Sequence, residues 1–175
     1  MSTIIGAQDA SSLEPLCKQA EEKGLGKVCI ANYIFPKGFV VSGHRQAVEY
    51  VSQEAESSLG ATARAVAVSG AFHSPLMESA VPKLRAALDE AEISKPNIPV
   101  YSNVTGLPCT SAAEIRTQLA EQVTKPVLWE MSIRNMIKDS CSESVFIELG
   151  PGKQLKAMLK RISRDSFKTC LNVQV

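Results

Sequence analysis

The chain has 175 residues, 45% hydrophobic and 21% charged, a composition suited to one sizeable core or two small ones. Lys and Arg number 19 against 18 Asp and Glu, so a formal charge of +1 gives no overall pull toward nucleic acid or a membrane surface, and no apolar run approaches the roughly 20 residues that span a bilayer. Five scattered cysteines (Cys17, Cys29, Cys109, Cys141, Cys170), odd in number and without C-x-x-C spacing, read as free thiols in a reducing compartment and exclude a zinc knuckle.

The opening "MSTIIGAQDA" carries no leader pattern and reads like the interior of a domain, with a strand over Ser2–Ile5. Ser11–Lys23 places Leu13, Leu16, Cys17 and Ala20 on one helical face, and Gly24 and Gly26 stop that helix. Val28–Tyr33 and Phe39–Val41 are strands about a turn at Pro36 and Gly38, followed by a helix over His44–Glu56 and a strand over Ala63–Val68. This β-α-β-β-α-β order is the ferredoxin-like pattern and predicts a first lobe over residues 1–68.

Beyond Gly70 the rhythm changes to longer helices between isolated strands. Pro75–Ala91 is a helix that Pro82 should bend, Pro99–Val104 a strand, and Ala112–Val123 and Trp129–Ile137 helices. Ser144–Leu149 is a strand closed by Gly150-Pro151-Gly152, Lys153–Ile162 a helix, and Phe167–Val173 a last strand. Strands separated by helices predict a parallel α/β layer of three strands over residues 69–175, thin enough to need neighbours.

Two histidines are present. His44, opening a helix, reads as structural. His73 lies in "VSGAFHSPLME" at a strand-to-helix junction, where a group titrating near neutrality serves as a general base. Acyl transfer needs a nucleophile as well, and its usual carrier, a G-x-S-x-G elbow, does not occur in the sequence. Ser69 belongs to a turn and Ser74 to a helix cap, so the residues alone supply a base without its partner. Gly150-Pro151-Gly152, between strand and helix, reads as turn geometry in preference to an anion site.

Five segments in order, "ANYIFPKGFVVSGH" (31–44), "VSGAFHSPLMESAV" (68–81), "IPVYSNVTG" (98–106), "TKPVLWEMSIRNM" (124–136) and "FIELGPGKQLKAMLKRI" (146–162), resemble the malonyl-CoA:acyl carrier protein acyltransferases, most of all their animal mitochondrial form. The resemblance implies an α/β fold: a ferredoxin-like small subdomain followed by the C-terminal part of an α/β-hydrolase-like large subdomain. His73 then matches the catalytic histidine, with its ring steered by backbone carbonyls of Pro126-Val127-Leu128-Trp129. Asn32 and Phe72 match substrate-cleft residues, Phe72 by leaving no space for an α-methyl branch. Leu128, the third expected substrate-binding residue, stands where bacterial members have a glutamine.

The same resemblance implies malonyl transfer from malonyl-CoA to phosphopantetheinyl acyl carrier protein in fatty acid synthesis, without metal or redox cofactor. The expected protein is a monomer of the mitochondrial matrix, or otherwise cytoplasmic, with no nucleic acid or membrane partner. The nucleophilic serine, the carboxylate-binding arginine and an oxyanion-hole glutamine would precede the point matching Met1. This makes the chain the back part of a transferase; the alternative is a non-catalytic fragment that binds acyl carrier protein. Lys153, Lys156 and Lys160, sharing a helix face opposite Leu155, Met158, Leu159 and Ile162, are the expected dock for an acidic carrier protein or for the phosphates of coenzyme A.

Overall fold

The computed structural model describes residues 1–141 and 143–174; Ser142 and Val175, both within the expected second lobe, lie outside the described residues. Strand β1 (Ser2–Ile5), helix α1 (Ala10–Glu22), strands β2 (Val28–Phe35) and β3 (Gly38–Gly43), helix α2 (Arg45–Leu59) and strand β4 (Thr62–Ala65) follow one another as the periodicity predicts. They form one antiparallel sheet in the order β2-β3-β1-β4, two interleaved split βαβ units. Asp9 starts α1 by accepting the Ser12 amide, satisfying an otherwise unpaired donor, and Gly60 ends α2 in the left-handed conformation. Between β2 and β3 the left-handed residue is Lys37, and Gly38 serves a different need, because a side chain there would run into the Phe35 ring.

The two faces of this sheet have different fates. One is covered by α1 and α2, where Ile4, Leu13, Val41 and Val51 are buried with Val28, Ile30 and Phe39. The other carries a smaller cluster of Ile34, Phe35 and Val40, against which Met158 and Ile162 pack. Alternation along β2 would send residues 28, 30, 32 and 34 to one face. A bulge between Ile30 and Asn32 breaks that phase: Val28 and Ile30 join the helix-covered core, whereas Ile34 joins the opposite cluster.

Cys17 is buried in the helix-covered core, and that burial, reinforced by nearby Cys29, pushes its thiol up to about 12 from an ordinary 9.0. Cys29 and Tyr33 are raised in turn, chiefly by burial. A raised acid favours its neutral form in the fold, so this stabilisation is complete below the unfolded thiol's pKa and is lost as pH climbs from about 9 toward about 12. Urea unfolding midpoints are therefore expected to fall across pH 8–11, and to fall less steeply in Cys17→Ala, which lacks the largest contribution.

The second part departs from expectation in several places, among them β5, which is confined to Ile147–Leu149 of the expected Ser144–Leu149. Pro75–Ala91 is no single bent helix: a 3-10 segment runs over Pro75–Ala80 and α3 over Val81–Glu90, with Pro82 in the first turn of α3, where its missing N–H costs nothing. Pro99–Val104 forms no strand; only Tyr101 bridges Pro108, while Ile98 and Val100 stay exposed. A strand exists through its ladder, and this segment pairs only around that single bridge, where the Val100 carbonyl accepts the Cys109 amide at 2.9 Å and the Ser102 amide donates to the Leu107 carbonyl at 3.0 Å. The final strand is also shorter than expected, because Arg164–Thr169 forms helix α7, which Ser163 caps through the Ser166 amide, leaving β6 only Leu171–Val173. With β5 (Ile147–Leu149) it makes a two-stranded parallel sheet in place of the three-stranded layer.

Helices α4 (Ala112–Glu121), α5 (Trp129–Asp139) and α6 (Gln154–Ile162) stand as predicted to within a few residues. Arg116 of α4 binds the end of α3, donating to the carbonyls of Leu88 and Ala91 at 2.9 Å each. Ile133, Leu159 and Cys170 form a third small core, with Trp129 and Phe146 packed against it. Among the described residues no helix is long and apolar enough to cross a membrane.

Candidate functional site

The bulge on β2 builds the first wall of the site. The carbonyl of Ala31 accepts the Val127 amide at 2.8 Å, and the Val127 carbonyl accepts the Tyr33 amide at 2.9 Å, so the segment before α5 docks onto β2 as a short parallel bridge. The phase shift leaves Asn32, half-buried, facing an open cavity of about 850 Å³ on the side away from α1 and α2. Phe72, at 38% exposure, and His73 line the same cavity, as do Met158 and Arg161 of α6 and Arg64 of β4. The Arg161 guanidinium lies 4.5 Å from the centre of the Phe35 ring, a stacking that holds its charge at the cavity wall.

His73 occupies the left-handed region at φ 58, uncommon for a residue with a side chain and costly by about 1 kcal/mol or more. Its amide donates to the Val123 carbonyl at 3.1 Å, and its carbonyl faces the Cys29 thiol at 3.8 Å. The ring's Nδ1 lies 2.6 Å from the Gln122 carbonyl. A carbonyl only accepts, so Nδ1 carries the proton and the neutral ring keeps its lone pair on Nε2. His44 is arranged the opposite way: its Nδ1 accepts the Lys27 amide at 2.8 Å, the nearer of two contacts, since the Lys27 carbonyl lies 3.3 Å away and already accepts the His44 amide at 2.8 Å; this puts the ring proton on Nε2 and ties the residue into the start of α2. One histidine is tied into a turn through its ring, and the other, held through Nδ1, lines the open cavity.

The carbonyl that orients His73 comes from Gln122, ahead of the Pro126-Val127-Leu128-Trp129 segment expected to supply it. Gln122 is the C-cap of α4, and the last carbonyls of a helix have no amide within the helix to accept, so its oxygen is free for the ring. The expected segment is spent elsewhere: Val127 pairs with β2, and the Leu128 carbonyl accepts both the amide and the hydroxyl of Ser132, at 2.9 and 3.0 Å. Leu128 caps the start of α5 and does not line the cavity that Asn32, Phe72 and His73 share. The predicted helix end near Val123 is the one sequence signal that points to Gln122; the ring contact itself leaves none.

Neither serine flanking His73 is poised as a nucleophile. Ser74 sits at the cap position of the 3-10 segment, but its hydroxyl donates to the Ala71 carbonyl at 2.6 Å and is 1% exposed. Ser69 is exposed and lines a different cavity. The Gly150-Pro151-Gly152 turn is closed to an outside anion as well, because the Glu148 carboxylate accepts the Leu155 and Lys156 amides at 2.9 and 3.0 Å. The protein supplies its own anion to the start of α6.

The three lysines of α6 separate in role. Lys153 and Lys160 are exposed, whereas Lys156 is half-buried, with its ammonium donating to the Cys170 carbonyl and lying 5.4 Å from the centre of the Phe167 ring. Lys160 lies over the same ring at 5.3 Å. Of the face expected opposite them, Leu159 is buried and Leu155 is 42% exposed.

Against known proteins, residues 1–173 match the acyl transferase domain family. A probable mitochondrial malonyl-CoA-acyl carrier protein transacylase of Drosophila melanogaster is 37% identical over 171 residues, 93% of this chain and 45% of the relative. The solved malonyl CoA-acyl carrier protein transacylase of Coxiella burnetii superposes with a TM-score of 0.88 at 30% identity, over 98% of this chain and 52% of that one. A malonyl-transacylase solved in complex with a type II PKS acyl-carrier protein superposes at 0.83 with 29% identity, over 99% of this chain and 54% of that one. The chain thus spans about half the length of the relatives it matches. On the near-complete family match and the shared α/β architecture around His73, the chain belongs to the acyl transferase domain family, with malonyl-CoA-acyl carrier protein transacylases among its relatives.

Proposed function

We propose that this chain is the histidine-bearing part of a malonyl-CoA:acyl carrier protein transacylase. Residues 1–68 would serve as the ferredoxin-like small subdomain and residues 69–175 as the C-terminal part of the large one. The observation that carries this reading is the His73 ring, held through Nδ1 by the Gln122 carbonyl at 2.6 Å with Nε2 left as the base beside an open cavity.

The nucleophile is a serine outside these 175 residues. Nε2 of His73 takes the serine proton as the oxygen attacks the malonyl thioester carbon. Collapse of the tetrahedral intermediate breaks the carbon–sulfur bond, and His73 returns the proton to the departing thiol of coenzyme A. In the second half His73 deprotonates the phosphopantetheine thiol of acyl carrier protein, that sulfur takes the malonyl group, and the proton goes back to the serine. No metal or redox cofactor takes part in these steps. Asn32 and Phe72 border the acyl group, Arg64 and Arg161 offer positive charge to anionic substrates, and Lys153 and Lys160 face an acidic carrier protein, with Lys156 bracing α6 from beneath. The mitochondrial name of the Drosophila relative supports placing the protein in the mitochondrion.

The test is to fuse this chain to an upstream acyl transferase segment carrying a G-x-S-x-G serine and to measure malonyl transfer from malonyl-CoA to holo acyl carrier protein. Transfer that depends on both the serine and His73 is the expected result. A folded fusion that binds acyl carrier protein but transfers nothing would instead make the chain a binding module.

A further inference from the structure

The carbonyl that holds the His73 ring is only as well placed as the loop that carries it. Residues 122–128, between α4 and α5, bear both groups that grip His73: the Gln122 carbonyl on the ring and the Val123 carbonyl on the backbone amide. One residue outside this loop touches both of its ends. The Asn103 side-chain amide donates to Gln122 Oε1 at 3.3 Å, and the Asn103 carbonyl accepts the Leu128 amide at 2.8 Å.

Asn103 is itself firmly seated. It lies in a turn closed by the Gly106 amide on the Ser102 carbonyl at 2.8 Å and the Ser102 amide on the Leu107 carbonyl at 3.0 Å. Asn135 of α5 ties that turn down through the Gly106 carbonyl at 2.8 Å. Asparagine suits the place because it accepts turn geometry while offering a short side-chain donor.

We propose that Asn103 is a positioning residue for His73, acting through Gln122 to keep the ring's proton on Nδ1 and its lone pair on Nε2. This rests on reading His73 as the base. A turn asparagine with only a structural task would affect stability; a positioning residue also governs which ring nitrogen holds the proton.

The two histidines make that measurable in the 175-residue chain itself, by long-range proton–nitrogen NMR of the neutral imidazoles. His44 is an internal control, since its bond from the Lys27 amide fixes the opposite tautomer. In the unaltered chain His73 is expected wholly as the Nδ1–H form. In Asn103→Ala, and separately in Gln122→Met, it is expected as a mixture of both forms with His44 unchanged, and the double variant should add nothing further, because both substitutions remove the same bond. In the serine-bearing fusion, Asn103→Ala should lower kcat about tenfold and leave the KM for malonyl-CoA within about twofold.

If Asn103→Ala does not fold, shown by loss of the His44 signature, Gln122→Met decides alone. A single Nδ1–H form persisting in the folded variants overturns the proposal, and so does a His73 proton on Nε2 in the unaltered chain. A tautomer lost as expected, together with full transfer by a His73→Ala fusion, would keep the positioning and reject the base.

Discussion

Replacing His73 by asparagine in the serine-bearing fusion is expected to lower malonyl transfer by about 10²–10⁴-fold, the usual worth of a positioned acid-base group. Asparagine is the stringent choice for two reasons. It tolerates the left-handed backbone that His73 occupies at φ 58, and its short amide still offers a donor toward the Gln122 carbonyl. What it lacks is the lone pair at Nε2. The fold and the loop around residue 73 should therefore survive, and the KM for malonyl-CoA should change little, because the proton shuttle acts in the transition state more than in substrate binding. Steady-state rates with CD spectra of both proteins check this. A variant within about threefold of the parent rate would reject His73 as the base.

The second large effect is on stability. Leu13→Ala is expected to cost about 2–5 kcal/mol, since it removes a branched side chain from a site with no exposure and leaves a cavity that its neighbours only partly fill. Leu13 belongs to the cluster of Ile4, Val41 and Val51 that joins α1, α2 and the sheet, so the loss loosens the layer on which β2 and its bulge are mounted. Urea unfolding should show the midpoint falling by about 1–3 M at unchanged slope. Leu155→Ala is the matched control: the same chemical change at 42% exposure should cost far less, because its side chain already keeps much of its contact with water. Equal losses at the two sites would contradict the burial assigned to α1.

Leu13, Leu16, Cys17 and Ala20 show why the first lobe is legible in the sequence. Their 3.6-residue spacing faces them all inward, and all four are buried on α1. The same logic fails beyond Gly70 wherever an element depends on a neighbour. Ile98 and Val100 have strand-like chemistry but no ladder, and Arg164–Thr169 is a helix because Ser163 caps it locally. Pro82 reads as a kink only if its helix begins at Pro75; with α3 starting at Val81 it falls in the first turn.

At the site, the chemistry is already written in residue identity and order: His73 in its motif, Asn32 and Phe72 beside it in kind, and the family to which the chain belongs. Folding in three dimensions settles the rest, namely which face Asn32 takes, which carbonyl holds the ring, and which lysine of α6 turns inward. Each of these depends on a backbone pairing without a side-chain signature: a one-residue bulge reverses the phase of a strand, the Gln122 oxygen freed at a legible helix end meets a ring from a distant segment, and the Cys170 carbonyl draws in Lys156. Backbone hydrogen-bonding groups are the same in nearly every residue, so where they pair is decided by packing between distant segments and leaves no mark on residue order.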